Sequence, residues 1–250
     1  MSGHSKWAQI KRSKGTADAK RGQVFTRLGR EIMVAVRAGG GDPDGNARLR
    51  LAIQRARDQN MPVDNIDRAI KRAMAGPEAG ALHEVTYEGY GPGGIAILMA
   101  AVTDNRNRTS AEVKHAFSRG GNLGEGGSVS WLFDSKGVIA VEGGKEAEDI
   151  ALQAIDAGAE DVKVEDGDLE IYTRPQDLET VRRALEARKV PVASAEISWV
   201  PRSTIELDEK NAATALKFLE KLEELEDVQH VYTNADFPAD VLEKMQAEVA

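Results

Sequence analysis

The apolar positions of the chain repeat with two different periods, and the change falls near Pro77. Before it they recur every three or four residues, the spacing of one face of a helix. Val24, Phe25, Leu28, Ile32 and Val36 do so from about Gly22 to Ala38, and GGGD (39–42) ends the run. A second helix is expected from about Pro43 to Gln59, with Pro43 in its first turn and Leu49, Ala52, Ile53 and Ala56 inward. A third is expected to begin at Asp64 as N-cap, to turn Ile66, Ile70, Ala73 and Met74 inward, and to stop at Gly76 and Pro77. Residues 2–20 carry no sustained period, and only Trp7 and Ile10 share a face, which reads as an arm or a short helix.

After Pro77 strands and helices alternate. Two strands are expected in 84–104 around GYGPGG (89–94), then a helix over 108–120 opened by a capping box of Thr109 and Glu112, then a strand over 127–134. GVIAVEG (137–143), the helix of 147–160, a hairpin about Gly167, the helix of 176–189 and ASAEISWV (193–200) follow in the order βαββαβ, the ferredoxin-like split βαβ. A last helix (207–226) and strand (228–234) supply what the earlier ββαβ lacks. The expected fold class is therefore α+β: an N-terminal three-helix domain (1–77) and two ferredoxin-like α/β domains. One of these is discontinuous (78–135 with 204–250) and the other (136–203) is inserted in it.

Charge changes the picture. The chain of 250 residues has a formal net charge of −8, yet residues 1–76 hold 16 Lys and Arg against 7 Asp and Glu. On a helix, Arg27, Arg30 and Arg37 fall opposite the Val24–Val36 apolar stripe, free to meet a partner. A basic end on an acidic body attracts polyanions and restricts how they approach.

Other chemistry finds little support. The chain has no cysteine, which removes disulfides, thiol catalysis and Cys-based zinc sites. His4, His83, His115 and His230 form no local ligand pair. The longest apolar run, IAILMAAV (95–102), falls far short of the roughly twenty residues a membrane helix needs. The basic start lacks the apolar core of a secretory signal, and Gly15 and Gly22 interrupt it as a transit peptide. GYGPGG is followed by a buried strand, not by the helix a phosphate loop requires, so it reads as a turn. Asp104, Ser110 and His115 form a hydrolase triad only on paper, since Ser110 lies in a helix and in no strained elbow. TDNRNRTS (103–110) reads as a capped turn, or as a place where Arg106 and Arg108 extend the basic surface. No enzyme, cofactor, metal, membrane or small-molecule substrate is expected.

Several long segments carry a resemblance: GHSKWAQIKRSKGTADAKRGQVFTRLGREI, GGGDPDGNARLRLAI, YEGYGPGGIAI, TDNRNRTSAEVKHAFSRGGNLGEGGSVSWLF and AGAEDV. They resemble the YebC/PmpR family along nearly the whole chain. The resemblance implies a three-domain protein whose middle domain is interrupted by the third. It also implies a cytoplasmic, DNA-binding transcriptional regulator, although mitochondrial members act as translational activators and some bacterial members as ribosome-associated factors. Two functions therefore stand: a transcriptional regulator that grips duplex DNA through its basic N-terminal surface, or a translation factor that binds ribosomal RNA or the ribosome. The positions expected to meet nucleic acid are Lys6, Lys11, Arg12, Lys14, Lys20, Arg21, Arg27, Arg30 and Arg37. Oligomeric state is not legible in the sequence.

Overall fold

The computed structural model describes residues 18–76, 81–165, 167–238 and 241. Three helices come first: α1 (Asp18–Gly39), α2 (Ala47–Asp58) and α3 (Val63–Met74). Then follow β1 (His83–Tyr90), β2 (Ala96–Thr103), α4 (Arg106–Phe117), β3 (Asn122–Leu123), β4 (Phe133–Glu142), α5 (Ala147–Asp156), β5 (Asp161–Glu165) and β6 (Asp168–Thr173). The chain continues through α6 (Leu178–Ala187), β7 (Val192–Pro201), β8 (Ile205–Glu206), α7 (Glu209–Glu223), β9 (Val228–Thr233) and β10 (Ala235–Asp236).

The helical unit closes on Leu28, Ile32, Val36, Leu49, Ala52, Ala56 and Ile66, as the periodicity predicts, and on Ala35 besides, whereas Met74, expected inward, is 65% exposed. Two helix starts differ from expectation. Asn46, not Pro43, opens α2: its side chain accepts from Leu49 N at 3.1 Å and donates to the carbonyls of Ala35 and Gly40, both at 2.8 Å. One buried amide thus caps α2 and ties down the end of α1. A Cβ on Gly39 would stand 2.8 Å from that amide, so the glycine is needed for close approach. At α3, Pro62 occupies the N-cap position, without a side-chain cap, and Asp64 lies inside the first turn.

The first antiparallel sheet has the order β3-β1-β2-β9. One face packs on α4 and α7 through Ile95, Ile97, Met99, Val113, Phe117, Leu216 and Leu219, where Phe117 meets Phe218 edge-on with centroids 5.4 Å apart. Its other face, Ala96, Leu98 and Tyr232, packs with Val129 and Phe133. The strand expected over 127–134 does not form. The Glu88 carboxylate takes three backbone N–H groups there, so the segment bends into a turn and a 3-10 helix (Ser130–Leu132), and Phe133 begins β4 of the next sheet. GYGPGG forms a 3-10 turn between β1 and β2, with Gly93 at φ 76°.

The second sheet, β5-β6-β4-β7, joins its strands as βαββαβ, with every neighbouring pair antiparallel. Ile139, Val141, Leu169 and Ile171 bury against Ile150, Leu178, Val181 and Leu185 of the α5 and α6 elements. Gly167, at φ 88°, turns the β5–β6 hairpin as expected. At α4 the capping residue is Asn105, whose side chain accepts from Arg108 N at 3.1 Å. Thr109, expected as the cap, is instead buried one turn in.

Phe117 sits between the sheet and α7 and is 1% exposed. Phe117→Ala should therefore cost about 4 kcal/mol, through lost burial and the cavity left behind. Urea unfolding should show a lower midpoint with an unchanged slope.

Candidate nucleic-acid interface

The basic helical unit meets the acidic remainder of the chain through specific hydrogen bonds and ion pairs. Arg27, on the face of α1 opposite its apolar stripe, donates to the carbonyls of Glu223 and Leu225. One turn on, Arg30 donates to Glu226 O at 2.9 Å, to Glu226 Oε1 at 2.9 Å and to Asp227 Oδ1 at 2.9 Å. The last carbonyls of a helix have no intrahelical partner and carry its negative dipole end. Two arginines of α1 thus cap the end of α7 and the turn after it.

Asp227 is the centre of this junction. It is 1% exposed, and its Oδ2 accepts from Thr109 Oγ1 at 2.6 Å, Thr103 Oγ1 at 3.0 Å and Arg108 at 2.7 Å. Burial pushes the carboxyl up. The hydrogen bonds from Thr109, Arg108 and Thr103, with the Arg30 charge, more than reverse that and hold it below the ordinary carboxylate range.

A second junction lies around Arg55 of α2. Its Nη1 stands 3.4 Å from Glu31 of α1, 3.3 Å from Glu196 of β7 and 3.0 Å from His230 Nε2 of β9. Arginine only donates, so His230 accepts through Nε2 and carries its proton on Nδ1. Burial opposes the Arg55 charge, but Glu196 and Glu31 outweigh it and the guanidinium is held still more firmly protonated. Arg48 adds an exposed pair with Glu84 at the start of β1.

Arg27 and Arg30 are therefore committed within the molecule and do not present free cations to a phosphate backbone. Of the other positions expected to meet nucleic acid, Lys6, Lys11, Arg12 and Lys14 lie outside the described residues, as does Trp7. Lys20 and Arg21 fall in the first turn of α1, and Arg37 in its last. Arg108 pairs with Asp104 and Asp227, and Arg106 lies 3.3 Å from His83 Nδ1, so that turn serves the fold. Asp104 is thus engaged by Arg108, while Ser110 and His115 lie within α4.

The accessible cations are elsewhere. Arg68, Lys71 and Arg72 project from α3 opposite its buried Ile66, Ala69 and Ala73. Their i, i+3, i+4 spacing puts them on one face. Arg68 donates to Asp64 O at 3.1 Å and to Asn65, whereas Lys71, Arg72 and the exposed Arg57 of α2 have no side-chain partner among the described residues. Arg68 and Arg72 line a groove of about 820 Å³ together with Phe25, Arg30, Met33 and Met61, and Leu82 and Asp104 of the following domain complete its wall. The outward pattern of α3 is legible in the sequence, but the wheel of α1 looks equally free, and periodicity does not rank the two.

Among the described residues no group of three His, Asp or Glu is placed to hold a metal, and no helix is long and apolar enough to cross a membrane. The fold and charge layout define a mixed helix-and-sheet protein with antiparallel sheets and a basic helical end. Residues 5–76 match the family model described as the TACO1/YebC protein N-terminal domain, and residues 82–235 match the TACO1/YebC second and third domain. The chain belongs to the TACO1/YebC family, in agreement with the resemblance of its motifs. It is 55% identical, over 99% of its length and the whole of the relative's, to the probable transcriptional regulatory protein DET0444 of Dehalococcoides mccartyi. A probable transcriptional regulatory protein of Moorella thermoacetica is 54% identical over 98% of this chain and 99% of its own. The crystal structure of a conserved hypothetical protein, Aq1575 from Aquifex aeolicus, superposes with a TM-score of 0.85 at 48% identity, covering 93% of this chain and 97% of that one.

Arg30→Ala should cost about 2 kcal/mol of stability by removing charged hydrogen bonds at the α7 end, read by urea unfolding. The Asp227 contribution should be complete above about pH 5, where an unfolded aspartate is almost fully ionised, and vanish as pH falls through its depressed folded value. Asp227→Asn should abolish that acid dependence, leaving a flatter stability curve between about pH 5 and pH 2.

Proposed function

We propose that the protein is a non-enzymatic, cytoplasmic regulator of gene expression that binds nucleic acid through its helical unit, acting as a DNA-binding transcriptional regulator. The observation that carries this proposal is the set of exposed cations Arg57 of α2 and Arg68, Lys71 and Arg72 of α3 at the basic end of an otherwise acidic chain. The names of its relatives, probable transcriptional regulatory proteins, point the same way. In this proposal residues 1–77 are the binding domain, 78–135 with 204–250 the body that orients it, and 136–203 a domain inserted in that body. Lys6, Lys11, Arg12, Lys14, Lys20, Arg21 and Arg37 belong to the same proposed surface, with Arg27 and Arg30 holding it in place.

The physical mechanism is counterion release. Each cation that neutralises a phosphate displaces condensed salt, which makes affinity steeply salt-dependent and largely sequence-tolerant. The acidic remainder repels the same polyanion and confines binding to the helical end.

With about five phosphates engaged, log affinity should fall against log salt with a slope of about −4.5, measured by fluorescence anisotropy on a duplex. Arg68→Ala with Lys71→Ala and Arg72→Ala should make the slope shallower by about 0.9 for each phosphate no longer neutralised, and leave the unfolding midpoint unchanged. An unaltered slope would place the interface elsewhere. In cells, cross-linking followed by sequencing should recover genomic DNA. Recovery of ribosomal RNA instead would select the translation-factor alternative.

A further inference from the structure

Two aromatic rings stand exposed by the end of β1 opposite Glu84, the residue that pairs with Arg48 of the N-terminal helical unit: Trp131 is 62% exposed and Tyr90 40%. Their polar edges share one acceptor. Tyr90 Oη donates to Ser128 O at 3.2 Å, and Trp131 Nε1 donates to the same oxygen at 3.1 Å. The position of that carbonyl is set from beneath by Glu88, which is 7% exposed and accepts from Gly127 N at 2.8 Å, Val129 N at 2.7 Å and Ser130 N at 2.7 Å. Burial pushes the Glu88 carboxyl up, but these N–H groups outweigh it and hold it below the usual carboxylate range. Gly127 takes φ 90°, and a Cβ on Gly124 would stand 2.4 Å from Ser128 Oγ, so the loop depends on its glycines.

The fold thus holds two rings by their donors and leaves both partly in solvent. We propose that Tyr90 and Trp131 form a stacking platform for an unpaired nucleobase of single-stranded RNA or DNA. This rests on the reading of the chain as a nucleic-acid binder. Aromatic faces accept any base, because every base has a π-face. Asn122 is exposed and pairs with Tyr90 across β3 and β1, and it offers an amide for a base edge. Arg119, exposed and without a side-chain partner among the described residues, adds a cation three positions earlier. The length of β1 separates the platform from the helical unit by about 23 Å. That is the span of about seven stacked nucleotides, so one strand reaches both.

The test uses the full chain carrying Trp7→Phe and Trp199→Phe, in which Trp131 is the remaining indole. Oligonucleotides of about 12 nucleotides are titrated as single-stranded RNA, single-stranded DNA and duplex. Single strands should quench Trp131 emission and the duplex should not, with the stronger quencher identifying the source. Trp131→Ala should weaken single-strand affinity about tenfold and leave duplex affinity unchanged, while Trp131→Phe should recover most of the loss. Glu88→Gln, which loosens the loop without touching either ring, should also weaken single-strand binding. Saturating single-strand binding with unchanged Trp131 emission and unchanged affinity in Trp131→Ala would overturn the platform, as it would if the rings seat a protein. Failure of every oligonucleotide to bind would overturn the parent reading, and the platform with it.

Discussion

The arrangement of the molecule turns on one buried carboxylate. Asp227 lies at the start of the last long strand and is reached by Arg30 from the helical unit, Arg108 and Thr109 from α4, and Thr103 from β2. An ion taken out of water is costly unless its partners restore what hydration supplied. Here hydroxyls and guanidinium groups do so, and they come from separate elements. Satisfying one charge therefore fixes where the helices sit on the sheet. Arg27 extends the junction by closing on the free carbonyls at the end of α7.

Arg55 performs a related task for both sheets. Glu31, Glu196 and His230 approach it from three directions, and His230 stacks on Tyr232 with centroids 5.7 Å apart. The basic character of the helical unit is thus divided by location. Arginines turned toward the acidic remainder are consumed as joints. Those left exposed, on α3 and at the end of α2, keep their charge for a partner. The excess of Lys and Arg at this end is larger than the joints use, and that surplus gives the binding proposal its physical basis.

Glu88 repeats the logic on a smaller scale. A single carboxylate gathers the N–H groups of a glycine-rich loop, and the loop in turn holds Ser128 O where two rings use it. Its three amides also explain why β-forming residues such as Val129 and Trp131 do not make the strand their composition suggests. Backbone donors bound to a carboxylate are not available to a ladder.

The sequence by itself determined most of the elements, because apolar spacing and glycine chemistry are local. The helical faces of 22–38 and 43–59, the turn at GYGPGG, the hairpin at Gly167 and the βαββαβ order of 137–200 follow from residues a few positions apart. The family, too, was legible in its long motifs. Tertiary structure alone decided which cations are free. Arg27, Arg30 and Arg72 look alike on a helical wheel, and only the arrival of residues 223–227, far along the chain, separates joint from surface. The lost strand at 127–134 was decided in the same way: Glu88, from another strand, took the backbone donors that a ladder needs, a partner that local propensity does not contain.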